Sequence, residues 1–315
     1  MNETSTVLQA VIPVFAIAAV GLLIRKLNWL TEEADQSLVR VTVNLLVPCL
    51  ILDSALGNEA LSHAGNLLLA PATGIAAVMV GVVVAYFARP LHGISDGRQR
   101  RTFAAAVGMH NYGYVPLPLV LMLFDKQTAG VLFLHVVGVE VAMWTVGVLV
   151  ISGSSTGLDW RKLVNGPLIA IVLALLLNAL GLHSRIPGVV STTMHWLGQC
   201  SIPMALILIG AIMADHLKEF HSAHGWRVIS SSVLLRLGVL PLLFLLAARY
   251  LPVTLELKRV LVIEAAMPAA VFPIVLSKHY GGDPPTAMRV VLGTTVVGLI
   301  TIPLWIRFGM KFVGL

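Results

Sequence analysis

Apolar residues in this chain come in long blocks parted by short polar connections. Ten blocks can be marked, near residues 7–24, 36–56, 65–88, 102–124, 127–151, 163–181, 188–214, 227–249, 259–279 and 286–307. A helix crossing the hydrocarbon core needs about 20 residues, and each block approaches or exceeds that length. The alternating segments of about ten residues that mark a membrane β-barrel are absent. The longest polar connections, 89–101, 152–162 and 215–226, leave nothing for a soluble domain. The pattern predicts an all-α polytopic membrane protein with ten transmembrane helices.

Two blocks are interrupted. The fourth contains GMHNYGYVPLP at 108–118, and the ninth contains EAAMPAAVFP at 264–273. Proline removes a backbone donor and clashes with the preceding turn, and glycine weakens helical continuity. Pro116 and Pro118, with Pro268 and Pro273, are therefore expected to unwind both helices at mid-depth. Unwound backbone inside a bilayer is tolerated only where protein buries it or where it lines a water-filled cavity. The half-helix N-termini it frees carry unpaired N–H groups and partial positive charge, which suit an anion. The bland alternative at each position is a proline kink that serves packing alone.

The prolines also expose a repeat. Pro13 pairs with Pro167, Pro48 with Pro203 and Pro118 with Pro273, at offsets of 154, 155 and 155 residues. The chain then divides into halves of five helices, 1–155 and 156–315. An odd number of helices per half inserts the second half upside down, the inverted-repeat plan of secondary transporters, whose sites lie near the midplane. The fourth and ninth helices would cross at their breaks.

Composition agrees. Hydrophobic residues make up 57% of the chain and charged residues only 11%, against about a quarter charged in soluble domains. The net charge of +6 comes from basic residues in short loops, so it does not point to nucleic acid. The first block is preceded by Glu3 and followed by Arg25 and Lys26, the reverse of a secretory signal. With the N-terminus outside, the inside connections hold twelve Lys and Arg and the outside ones seven, with Arg40 and Arg236 set aside within helices. That asymmetry fits the positive-inside rule and puts both termini outside. Cys49 and Cys200 fall inside helices and read as small buried thiols. No G-x-x-x-x-G-K-[ST] loop is present, so ATP is not expected to drive the protein.

Three segments carry a family resemblance: Asn44 and Pro48 spaced N-x-x-x-P in the second helix, HNYGYVPLPL in the fourth, and MPAAVFP in the ninth. Together they resemble the auxin efflux carrier family, specifically its short bacterial members without the long central loop of the plant proteins. The resemblance covers essentially the whole chain. It implies a fold like that of the bile acid/sodium symporters and sodium/proton antiporters. Helices 1, 2, 6 and 7 would form a scaffold, commonly a homodimer contact, and helices 3–5 and 8–10 a moving transport domain. It also implies export of small organic anions such as carboxylates across the cell inner membrane by an elevator movement. The plant members carry an Asn-Pro pair at each crossover. Here Asn111 is followed by Tyr112-Gly113, and Met267-Pro268 has no Asn, which argues against a symmetric site and an indole-carboxylate substrate.

Polar residues inside the spans are functional candidates by default. His110, Asn111, Tyr112, Gly113, Met267 and Pro268 line the two breaks and are candidate substrate-binding positions. Asn44 and Ser201, beside the paired prolines of helices 2 and 7, would supply the scaffold side. For Asn44 an interhelical hydrogen bond is the competing role. Glu264, Glu140 and His110 are candidates for proton or ion coupling. Arg236 is a candidate structural partner for either carboxylate, or a direct ligand of a substrate carboxylate. His135, in helix 5, reads as a core histidine. The loop DHLKEFHSAH at 215–224 reads as solvated, and neither HExxH nor paired CxxC occurs, so no metal or other cofactor is expected. A sodium-coupled symporter is the nearest rival function and a binding-only sensor another. An intramembrane enzyme lacks a nucleophile–base set with an orienting acid.

Overall fold

The computed structural model describes residues 3–154, 164–216 and 225–315. These residues are almost entirely helical, with one isolated antiparallel β-bridge between His110 and Ala269. In chain order the helices are α1 (Glu3–Lys26), α2 (Glu32–Val41), α3 (Val47–Ala55), α4 (Ala64–Phe87), α5 (Arg89–His92), α6 (Gly97–Gly108), α7 (Pro116–Leu123) and α8 (Lys126–Ala142). They continue with α9 (Val148–Ser152), α10 (Gly166–Ala179), α11 (Gly188–His216), α12 (Trp226–Leu234), α13 (Leu240–Tyr250), α14 (Leu255–Ala265), α15 (Phe272–His279) and α16 (Pro284–Val313).

Among the described residues, seven helices are long and apolar enough to cross a membrane. The protein is thus an all-α multi-pass membrane protein. Three of these helices join two α segments through a five-residue π-helical stretch, at Thr42–Leu46, Met143–Gly147 and Leu235–Val239. The block expected at 163–181 forms only the 14-residue α10. Asn165 caps its first turn by accepting from Leu168 N, and Gly181 ends the segment at positive φ. The fourth and ninth blocks are each two short helices, α6/α7 and α14/α15. The loop at 215–224, and the division between the expected halves at residue 155, fall mostly outside the described residues.

The loops start their helices with side-chain caps, which satisfy amide donors a helix leaves open. Asp96 accepts from Gln99 N, Asp125 from Thr128 N, Thr254 from Leu257 N and Asp283 from Thr286 N.

Between helices, glycines bring backbones together, as expected where lipid gives no hydrophobic drive for association. A Cβ on Gly138 of α8 would sit 1.9 Å from the Pro71 carbonyl oxygen of α4, and one on Gly74 of α4 would sit 2.3 Å from the His135 carbonyl oxygen. Gly210 of α11 and Gly21 of α1 lock in the same reciprocal way. Thus α1 packs on α11, α3 packs on α10 and α11, and α4 is clamped between α6 and α8. The paired half-helices lie among α8, α13 and α16.

Candidate functional site

The sequence dictates two ruptures, and the fold puts them side by side. In the first, α6 ends at Gly108, the chain runs irregularly through Met109–Tyr114, and α7 restarts at Pro116. In the second, α14 ends at Ala265 and α15 restarts at Phe272. Asn111 N donates to the Pro268 carbonyl at 2.8 Å and Ala270 N donates to the Met109 carbonyl at 2.8 Å. Each break thereby satisfies part of the other's open backbone, as buried polar groups require. Asn111 Oδ1 accepts from Val115 N at 3.4 Å and steadies the start of α7. Ala269 N donates to Thr294 Oγ1 at 3.1 Å, which ties the junction to α16.

One side of the junction is sealed. His110, His135, Arg236 and Glu264 are all 0% exposed. His110 Nε2 lies 3.1 Å from Glu264 Oε2. His135 Nδ1 lies 3.1 Å from Thr73 Oγ1, and the Thr73 hydroxyl gives its proton to the Ala70 carbonyl at 2.8 Å. With the hydroxyl proton on Ala70, Thr73 accepts from an Nδ1–H of His135 and leaves Nε2 with a lone pair; in the other tautomer Thr73 donates to Nδ1. That Nε2 has no hydrogen-bond partner among the described residues. One ligand atom from each of His110, His135 and Glu264 falls within 4.8 Å of the others. In donor type the three could hold a metal ion, a grouping the sequence analysis did not foresee. The Arg236 guanidinium lies beside them, since it and the His110 ring both pack on Phe244, at 5.4 Å each. A divalent cation there would sit buried next to a guanidinium, an electrostatically unfavourable arrangement.

Arg236 was expected to pair with a carboxylate. It donates instead to backbone: Nε to the Met267 carbonyl at 2.9 Å and Nη2 to the Glu264 carbonyl at 3.2 Å. Among the described residues no carboxylate oxygen lies within ion-pair distance of it. The reason is local. The break after Ala265 leaves the Met267 carbonyl outside any helix, and the guanidinium fork reaches it together with the Glu264 carbonyl, which also accepts from Met267 N at 3.2 Å. Glu140 likewise has a different partner: its Oε2 accepts from Asn165 Nδ2 at 2.9 Å, at the capped start of α10.

The other side of the junction is open. Tyr112, Gly113 and Tyr114 are half-buried. A Cβ on Gly113 would meet no atom within 4 Å. Among the described residues no acceptor takes the N–H of Tyr112, Gly113 or Tyr114. Tyr112 Oη donates to Met143 Sδ at 3.7 Å, one helical turn beyond Glu140, and Trp144 meets Phe272 of α15 with ring centroids 6.0 Å apart. The break residues thus divide. Tyr112 to Tyr114 border the open side, while His110, Asn111, Met267 and Pro268 are buried.

The two scaffold candidates are not brought to this junction by any described contact. Asn44 lies in a π-helical turn, is exposed, and returns its amide to the Arg40 carbonyl at 3.0 Å. Its backbone abuts Gly166, next to the Asn165 that holds Glu140. Ser201 is buried and donates to the Gly198 carbonyl of its own helix at 2.7 Å. Its hydroxyl is spent on helix packing.

A multi-pass helical bundle with two ruptured helices meeting inside it, an open polar side and a sealed ionisable side, has the make-up of a membrane transporter. Comparison with known proteins agrees. The chain matches the family described as membrane transport protein over residues 6–161 and 154–306, and it belongs to that family. An uncharacterized transporter of Methanothermobacter thermautotrophicus is 26% identical over 313 residues, covering 97% of this chain and 98% of its own. A second uncharacterized transporter, from Methanocaldococcus jannaschii, is 21% identical over 304 residues, covering 95% and 97%. Auxin efflux carrier component 3 of Arabidopsis thaliana is 27% identical over 157 residues, 48% of this chain but 24% of the plant protein. The resemblance to auxin efflux carriers thus holds, in a short chain of the prokaryotic kind.

Proposed function

We propose that the protein is a secondary active carrier of small organic anions, carboxylates among them, with the substrate bound on the open side of the junction. The observation that carries this reading is the run of unpartnered amides at Tyr112–Tyr114 beside free space at Gly113. These are donors without acceptors at mid-depth, where an unsatisfied group is costly. A carboxylate entering there accepts those hydrogen bonds. The nearby Arg236 charge makes the surroundings attractive to an anion.

The sealed side supplies coupling. With Glu264 ionised its charge offsets that of Arg236. A proton taken by the His110–Glu264 pair leaves the guanidinium uncompensated and strengthens the junction for an anion. Loss of the proton does the reverse. Carboxylate and proton therefore load together, and the direction of net flux follows the gradients. The ten crossings of the sequence pattern then correspond to the seven long helices, α10, and the two broken pairs. They are read as two inverted five-helix halves whose broken helices cross. In that reading α1, α2–α3, α10 and α11 form a scaffold, and dimerise, while the rest moves as an elevator in the cell inner membrane. The Glu140–Asn165 contact spans the boundary between the two bodies and has to part when one slides.

The test is a screen of radiolabelled carboxylates on purified protein in vesicles at two external pH values, with and without sodium. At least one carboxylate is expected to enter faster at the lower external pH, independently of sodium. Glu264→Gln is expected to flatten that pH dependence. A flux that needs sodium, or a pH profile that survives Glu264→Gln, refutes the proton role.

A further inference from the structure

The basic end of the bundle carries a second binding feature, away from the junction. The C-terminal ends of α4 and α9 and the first turns of α6 share one membrane face. Between α4 and α9 runs a groove of about 450 Å³, walled by Val82, Val83, Phe87, Leu149 and Val150, with Arg101 of α6 also lining it. The wall side chains Phe87, Val83 and Leu149 are exposed and face the bilayer.

Arg101 is anomalous there. Its guanidinium has no hydrogen-bond acceptor and no ion-pair partner among the described residues, and its Nε is buried without one. It is held in place by steric fit. Gly153 ends α9 at positive φ, and a Cβ on it would lie 2.8 Å from Arg101 Cζ. Its neighbour Arg100 is already engaged, donating to Tyr86 Oη at 3.1 Å and lying 4.8 Å over the Tyr86 ring. The one carboxylate in the same loop, Asp96, accepts from Gln99 N as the cap of α6. A half-buried arginine fork is thus fixed beside an apolar groove with no anionic partner among the described residues.

We infer that this groove binds an anionic phospholipid, one acyl chain lying between α4 and α9 and the phosphate meeting Arg101. A soluble anion satisfies the arginine and leaves the apolar walls unused; a zwitterionic lipid fills the walls but brings its own cation to the arginine. Only an anionic head on a hydrocarbon tail matches both ends. The level is right too, because helix ends sit at headgroup depth. The face bearing Arg89, Arg98, Arg100 and Arg101 is the cytoplasmic one under the positive-inside rule, and basic pockets between helices on that side recognise anionic headgroups.

The experiment compares phosphatidylglycerol with phosphatidylcholine of the same chain length on the full-length protein in detergent, counting retained lipids by native mass spectrometry. One tightly retained phosphatidylglycerol is expected, favoured about fivefold over phosphatidylcholine, the share one arginine supplies near a membrane surface. Arg101→Gln should abolish that preference, and Val83→Trp should displace the lipid while keeping the arginine. Arg89→Gln, on the same face outside the groove, should retain it. Thermal unfolding of each variant checks its fold. Equal retention of the two lipids by the wild type, an undiminished preference in Arg101→Gln, or displacement of the lipid by inorganic phosphate at matched concentration overturns the inference.

Discussion

Replacing Arg236 by methionine tests how the junction is held. The substitution keeps an unbranched, flexible side chain of related shape and removes the charge and both donated hydrogen bonds, at 2.9 Å to the Met267 carbonyl and 3.2 Å to the Glu264 carbonyl. Hydrogen bonds from a charged donor contribute roughly 1.5–3 kcal/mol each, and a buried acceptor stranded without one costs a similar amount. Two such losses give ~3–6 kcal/mol. Interhelical polar contacts in membranes measure toward the low end, because the unfolded state in lipid also finds partners, so about 3 kcal/mol is the working figure. At about 2–4 °C per kcal/mol, Tm should fall by roughly 6–12 °C. Part of that cost is the Glu264 carboxylate, left buried without a compensating cation. The double variant Arg236→Met/Glu264→Gln should therefore recover about 1–2 kcal/mol relative to Arg236→Met alone, a coupling typical of groups sharing one network. The assay is thermal unfolding of purified protein in detergent, completed as a double-mutant cycle. A Tm for Arg236→Met within 2 °C of wild type, or a double variant no more stable than the single one, refutes the claim that the guanidinium both caps the broken helix and offsets Glu264.

Three further outcomes are expected. Gly113→Leu places a side chain where a Cβ meets nothing within 4 Å, so it should change stability by no more than about 0.5 kcal/mol yet slow carboxylate flux at least tenfold in vesicles; unimpaired flux would move the substrate elsewhere. Gly138→Ala drives a methyl against the Pro71 carbonyl and should cost about 1–3 kcal/mol, whereas Gly65→Ala, with open space around it in the same bundle, should be neutral or slightly stabilising; equal Tm values for the two would contradict the close α4–α8 packing. His92, in the connection between α4 and α6, is buried, and its imidazole is held below the usual histidine pKa by burial and by the Arg100 and Arg89 charges. Because the unfolded chain then takes up the proton first, stability should fall as pH drops below the unfolded-state value, and His92→Asn, which keeps an acceptor for Ile94 N, should lose less stability between pH 7.5 and 5.5 than wild type does.

Much of the plan was legible in the chain. The apolar blocks gave the helical membrane class, and the glycine and proline clusters located both breaks, because those residues act on their own backbone whatever surrounds them. The partners of the buried charges were not legible. A sequence suggests that Arg236 seeks a carboxylate; it does not display the backbone carbonyls that the break after α14 brings to it, and those are what it bonds. His135 lies on α8, which packs on both α4 and α14, and nothing in the spacing of His135 reports those approaches. Asn44 sits in a π-helical turn that no local motif announced, and its amide returns to its own helix. His110 and Asn111, adjacent in sequence, also make different contacts: His110 meets Glu264, while Asn111 accepts from Val115 N and its amide donates to the Pro268 carbonyl.

Carboxylate flux through Asn111→Ala, in vesicles loaded with equal amounts of folded protein, bears most directly on the claim that the joined breaks bind and pass an organic anion. The variant removes an amide whose oxygen accepts from Val115 N just before α7, and leaves Arg236, Glu264 and the backbone bridge in place. The account predicts a Tm within a few degrees of wild type and flux reduced to background. Normal flux through a folded Asn111→Ala protein would contradict it.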